Sequence, residues 1–182
     1  MKQRLHDAAL LVTLFALAGC SGQNPFSVNA RFTELDAGSW LTTDASSYVL
    51  ESDGVGLRTV IGLSFTNPSS QPMYIVNCRG GLNTTLEKRV NGEWVHYWSP
   101  ALLMCLSPPI VVEPGETLTR SLSIWGALPG SNAGPAWASA DVEGTYRMVL
   151  GSLVWNYSAG GQPFGDAVPV ELRTSNAFTL RY

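Results

Sequence analysis

Over residues 58–66 the chain alternates with a period of two, Ile61, Leu63 and Phe65 standing against Gly62, Ser64 and Thr66. Such alternation puts three large apolar side chains on one face of a strand. Asn67-Pro68-Ser69-Ser70-Gln71-Pro72 then stops it, because proline has no N–H to give a ladder and Asn and Ser favour turns. Strand-like run followed by turn recurs along the rest of the chain. Residues 48–50 read as a first strand and 73–78 as a later one, while 84–90 and 93–98 are joined by Asn91-Gly92, whose tolerance of positive φ makes it the strongest short-range hairpin signal. Ile110-Val111-Val112 leads into Glu113-Pro114-Gly115-Glu116, which suits a type II turn. Residues 118–124 return with Leu118, Leu122 and Ile124 on one face. Arg120 shares that face, which puts it at a sheet rim or sends its head along an apolar wall to solvent. Residues 126–140, rich in Gly, Pro, Ala and Ser, read as a long loop; 144–155, with Tyr146, Met148 and Leu150 in phase, read as one strand; 168–172 and 177–181 complete the series. No amphipathic helix of useful length and no internal repeat is visible. The expected fold is an all-β, antiparallel sandwich of about seven to nine strands.

The N-terminus carries a different signal. Lys2 and Arg4 precede an apolar run that begins at Ala8 and closes with Leu17-Ala18-Gly19-Cys20. A basic start, a short apolar stretch and small residues at its end read as a secretory signal peptide. The run is too short for an anchor, since crossing about 30 Å of hydrocarbon takes roughly 20 apolar residues. With a cysteine directly after the small residues, the motif resembles the lipobox of bacterial lipoproteins. That resemblance implies loss of residues 1–19 and a new N-terminus at Cys20, which carries diacyl and N-acyl chains of the palmitate type. Residues 20–39 are polar and irregular and read as a tether; as a flexible coil of about 18 residues it spans roughly 25 Å. Residues 40–182 are left for the sandwich. Ser21 beside the cysteine resembles outer-membrane sorting, in a host with two membranes. The expected location is the bacterial cell envelope, by lipid attachment to the membrane.

Without the leader, thirteen acids face nine bases, and Lys88 is the only lysine. No Lys/Arg cluster supplies the basic footprint that nucleic acids require, so nucleic acid is set aside as a partner. Cys20 is assigned to lipid, which leaves Cys78 and Cys105 as an even pair. In an oxidising compartment a disulfide between them is the default, two buried thiols the alternative. A bridge would close a loop of about 27 residues and contribute roughly 3.5 kcal/mol in the chain-entropy picture.

Leu63-Ser64-Phe65-Thr66-Asn67-Pro68-Ser69, Asn91-Gly92-Glu93-Trp94, Pro114-Gly115-Glu116-Thr117 and Gly144-Thr145-Tyr146-Arg147 follow one another in that order. Their order and spacing resemble the immunoglobulin-like domains carried on bacterial lipoproteins and, more faintly, the all-β domain of the BsuPI-type bacterial proteinase inhibitors. Asp141-x-x-Gly144-x-Tyr146 is similar to the tyrosine corner of such sandwiches, whose hydroxyl bonds back to nearby backbone. The spacing from Asp141 is one residue long, and Met148 stands where antibody domains place a cysteine. A Cys78–Cys105 bridge would therefore be a different staple.

Candidate chemistry is sparse. His96 is the only histidine outside the leader, and a triad would have to use it; in a strand beside the hairpin it reads as a half-exposed surface residue. One histidine and two paired cysteines do not make a zinc site. Asp44, Glu51 and Asp53 lie close together and Asp141 and Glu143 bracket a turn, but their spacing matches no calcium loop, and they read as solvated turn acids. No metal and no cofactor is expected. Six tryptophans occur, a residue type enriched at binding hot spots. A two-residue loop at Asn91-Gly92 sets Arg89 opposite Trp94 for a cation–π contact. Trp125 and Trp137 flank the 126–140 loop and are the candidate partner-binding residues, for protein or sugar; the alternative is that they anchor that loop. The expected function is thus a lipid-anchored, non-catalytic structural or binding module for an unknown envelope protein or glycan. A second expectation is a protease inhibitor using loop 126–140 or 99–109. A third, weaker for want of histidines and of a Gly-x-Ser-x-Gly motif, is a hydrolase of envelope polymers.

Overall fold

The alternating run of 58–66 lies inside the longest pairing of the protein. The computed structural model describes residues 40–101, 107–151, 153–157 and 163–182, with backbone alone over 163–166. The leader, Cys20, the tether, Cys105 and part of the 99–109 loop lie outside the described residues. All the described residues fall in one compact unit, Leu35–Tyr182. In chain order the strands are β1 (Leu41–Thr43), β2 (Ser47–Val49), β3 (Glu51–Ser52), β4 (Gly56–Thr66), β5 (Met73–Ile75), β6 (Asn77–Cys78), β7 (Gly81–Leu82) and β8 (Thr84–Val90). They continue as β9 (Glu93–Trp98), β10 (Ile110–Val112), β11 (Thr117–Ala127), β12 (Gly144–Leu150), β13 (Leu153–Tyr157), β14 (Pro163–Ala167) and β15 (Phe178–Arg181).

The first sheet is built on β4. β11 lines one side of it over eleven residues, from Thr117 opposite Thr66 to Ala127 opposite Gly56, while β1 and β3 share its other side. A second sheet runs β10-β5-β13-β14 and a third runs β2-β15-β12-β8-β9; β6 and β7 form a small hairpin. Among the described strands the pairings are antiparallel except β15 with β2, which is parallel. The fold is an all-β sandwich, as its sequence implies. The strand segments outnumber the expected seven to nine, because short irregular pieces such as β1 and β3 share one side of a single long strand.

The core forms where the alternation points inward. Ile61, Leu63 and Phe65 of β4 are buried, as are Met73, Ile75 and Leu153 of the second sheet's strands and Leu86, Met148, Phe178 and Leu180 of the third. Each such side chain contributes roughly 1.5–3 kcal/mol relative to exposure, before entropy is counted. The aromatic rings meet edge-on or stacked, Tyr48 lying T-shaped on Phe178 and Tyr146 stacked on it at 6.3 Å.

The local turn readings hold. Val90 pairs with Glu93 and Arg89 with Trp94 across a loop in which Asn91 and Gly92 both have positive φ, the signature of a type I′ hairpin. At the other turn, Glu116 N donates to Glu113 O at 2.9 Å with Gly115 at φ 77°.

Three strand readings are corrected. The run 73–78 is two pieces, β5 (Met73–Ile75) in the second sheet and β6 (Asn77–Cys78) in the hairpin with β7. The run 144–155 is two strands: β12 ends at Leu150 in the third sheet and β13 begins at Leu153 in the second. The chain changes sheets at Gly151, whose N–H meets the Asn83 carbonyl at 2.6 Å. A Cβ there would sit 2.9 Å from that oxygen, so only glycine fits the crossing without a shift. Residues 168–172 do not form a strand either. Val168 is buried, but Val170–Arg173 is a 3-10 turn, closed by Leu172 N onto Pro169 O at 3.1 Å. Proline at that point removes a ladder donor.

Candidate functional site: the outer face around Trp125

On β11 the odd positions Thr117, Thr119, Ser121 and Ser123 point out from the sandwich, and Trp125 continues that row. Its partner across the sheet is Arg58 of β4. A Cβ at Gly56 would stand 2.4 Å from the Gly126 carbonyl oxygen and 3.1 Å from Trp125 Cε2, so glycine there makes room first for the neighbouring backbone and then for the indole. Trp125 Nε1 donates to Asp53 Oδ2 at 2.8 Å. The other oxygen of Asp53 accepts the N–H groups of Val55 and Gly56, at 3.0 and 2.8 Å. The Gly56 N–H first, then Trp125 and the Val55 N–H, hold this carboxyl below the usual carboxylate range. Arg58 pairs with Glu51 at 3.1 Å, both largely exposed. The result is a half-exposed indole fixed at its edge and flanked by an ion pair. Such a surface can take the flat apolar face of a sugar or a side chain and offer hydrogen bonds around it.

Trp137 is placed otherwise, which corrects its reading as a contact residue. It is 2% exposed, tilted against Trp98 at 6.2 Å, and packed on Gly126. Its Nε1 is buried with no hydrogen-bond partner. The segment that carries it is tied to β11, with Ala127 N donating to Pro135 O and Trp137 N to Ala127 O. Trp137 anchors the loop.

The remaining candidates are spread over the fold. His96 is exposed on β9, opposite Glu87. Asp44 accepts the Tyr48 hydroxyl and the Gly62 N–H; it serves the turn between β1 and β2. Arg120 is exposed, its Nη1 on the Thr119 carbonyl. Arg89 lies 5.9 Å from the Trp94 ring as its register requires, but Arg147 is nearer at 4.7 Å and also pairs with Glu87 at 2.6 Å. Lys88, not singled out from its sequence position, is buried: its Nζ donates to Asp141 Oδ2 at 2.8 Å and sits 5.0 Å from the Tyr97 ring centroid. Cys78 is half-buried at the end of β6 and is not left free. Among the described residues, no group of three or more His, Cys, Asp or Glu could hold a metal ion, and no helix is long and apolar enough to cross a membrane.

No family model matches the chain, and no curated protein matches it. Among solved structures it is similar to the Pseudomonas fluorescens alkylpurine DNA glycosylase AlkC bound to DNA containing an abasic site analog, at 10% identity and a TM-score of 0.30. The match covers 80% of this chain and 31% of that one, so the chain spans about a third of that protein's length. A likeness at this level carries no argument about activity.

Proposed function

We propose that the chain is a lipid-anchored protein of the bacterial envelope that displays a non-catalytic, immunoglobulin-like sandwich as a binding module. The observation that carries this reading is Leu17-Ala18-Gly19-Cys20 at the end of a short apolar run. Two or more acyl chains on Cys20 meet the requirement for stable anchoring, and the polar residues up to 39 hold the sandwich off the bilayer. The Tyr146 hydroxyl, donating to Val142 O at 2.6 Å, supports kinship with tyrosine-corner sandwiches. A Cys78–Cys105 bridge belongs to the proposal as the staple of an exported domain. The partner is an envelope protein or glycan, and the Trp125 face is the surface offered to it.

Mass spectrometry of membrane-extracted protein tests this. The expected species starts at Cys20, carries acyl mass, and gains 2 Da on reduction of one disulfide. A Cys20→Ala variant is expected to leave the membrane fraction almost completely. The same membrane distribution for wild type and variant overturns the anchor, and free thiols at Cys78 and Cys105 overturn the bridge.

A second reading, protease inhibition, draws on loop 126–140. Pro129, Gly130, Ser131 and Asn132 are exposed between ends pinned to β11 at Ala127 and Trp137, the rigid-ended exposed loop that an inhibitor presents. Stoichiometric inhibition of at least one extracellular protease is expected on that reading, and none across a broad panel removes it.

A further inference from the structure

We propose that the free edge of β11 pairs with the same edge of a second copy of this chain. Backbone direction alternates along β11. Glu116 O accepts Asn67 N on the β4 side, whereas Trp125 O accepts Trp98 Nε1, and Ala127 bonds Pro135 and Trp137, on the other. The N–H and C=O groups of odd residues therefore point away from β4. Between 125 and 127 they are covered. At Thr117, Thr119, Ser121 and Ser123 no other strand among the described residues pairs with them; only the Thr119 carbonyl has a contact, from Arg120 Nη1 at 3.1 Å, and all four residues are exposed.

Among the described residues, the other edges of the three larger sheets are blunted in ways that discourage pairing. β9 carries a register shift against β8, and β14 one against β13. β10 is three residues long, between Pro109 and Pro114, and β1, β2 and β3 are two or three residues each. β11 pairs with β4 over eleven residues with no shift, and proline is absent from it. Its outward side chains are hydroxyls, with Thr117 bonded to Thr66 at 2.9 Å and Thr119 to Ser64 at 3.3 Å, so the edge stays soluble while unpaired.

Arg120 and Glu116, four residues apart on one edge, point to a second copy as the occupant and narrow the register. A two-fold axis at Arg120 would set guanidinium against guanidinium, in the close kind of antiparallel pair. An axis at Ser121 puts Arg120 opposite Leu122, with no acid beside it, and runs Thr117 into the Trp125 carbonyl already held by Trp98. An axis at Thr119 pairs Thr119 with Thr119 and Thr117 with Ser121, giving about six backbone hydrogen bonds. There Arg120 faces Leu118 of the second copy, one diagonal step from its Glu116 and one from its Arg120. An axis at Leu118 sets Arg120 directly opposite Glu116 of the second copy, twice over, and still pairs Thr117 with Thr119, so the charges favour axes at Leu118 or Thr119 over those at Arg120 and Ser121. The contact is narrow and so weak in solution; attachment to one membrane would raise its occupancy, but the pairing does not depend on that attachment.

Sedimentation of the full chain in detergent, up to millimolar protein, tests the pairing. A concentration-dependent dimer is expected. Arg120→Glu, at an exposed position, should weaken it about tenfold or more, and adding Glu116→Arg should restore it. Ser121→Pro removes an outward N–H and spares the β4 side, so it should weaken the dimer as strongly wherever its thermal unfolding shows it folded. A wild-type chain that stays monomeric overturns the proposal and leaves the edge to a strand from another protein. A dimer that ignores both charge variants overturns it too, because the contact then lies elsewhere.

Discussion

Trp137→Ala is expected to lower folding stability by about 3–5 kcal/mol, the usual cost of deleting a buried aromatic side chain. Its ring fills the space between Trp98 and the backbone of Gly126. The segment that leaves with it is paired to the end of β11 through Ala127, Pro135 and Trp137, so the loss spreads from a cavity to a loop. For a body of this size each kcal/mol lowers the melting temperature by roughly 2–4 °C, so a fall of about 10 °C is expected in thermal unfolding. Trp137→Phe should cost far less. It keeps most of the apolar contact and gives up no hydrogen bond, because Nε1 has none to lose. Trp125→Ala should cost about 1 kcal/mol or less, as exposed substitutions do. An unchanged melting temperature for Trp137→Ala would return this residue to the binding candidates.

The contrast between the two tryptophans shows where sequence reasoning reaches and where it ends. They flank the same loop and look equivalent in the chain. Trp125 lies in phase with Thr117, Thr119, Ser121 and Ser123, so strand parity alone would have placed it outward. Trp137 lies in no strand, and its burial follows from a bridge between Ala127 and Ala136 that no local pattern announces. What was legible was local. One buried face imposes the alternation of β4, and positive φ imposes Asn91-Gly92. What was hidden depended on distant partners. Lys88 shares a parity with Leu86 and would be costly in the core, yet Asp141, 53 residues away, supplies its counter-charge. Arg147 reaches Glu87 and Trp94 only because β12 lies beside β8. The sheet change at Gly151 leaves the hydrophobic pattern on both sides unbroken, so periodicity reads it as one strand.

The second large effect concerns Tyr146 and grows smaller as pH rises. Its hydroxyl is buried and donates to the Val142 carbonyl at 2.6 Å. Tyr146→Phe keeps the ring against Phe178 and Tyr97 but strands a buried acceptor, at a cost of about 1–3 kcal/mol at neutral pH. Burial first, then the nearby Tyr97 and Asp141, pushes the Tyr146 phenol far above the ordinary tyrosine range. The native state therefore keeps a proton that the unfolded chain releases above about pH 10. From there upward the unfolded state binds fewer protons than the native one, and each such group removes stability at about 1.4 kcal/mol per pH unit. Below that range its contribution is complete. Tyr48, raised by burial and by its bond to Asp44, adds a loss of the same sign in both proteins and drops out of their difference. Urea unfolding of wild type and Tyr146→Phe between about pH 8 and 11.5 should then show two curves that start apart and converge. Curves that stay parallel would mean that Tyr146 ionises in the fold as it does in the open chain, and that its hydroxyl is not held where the Val142 contact places it.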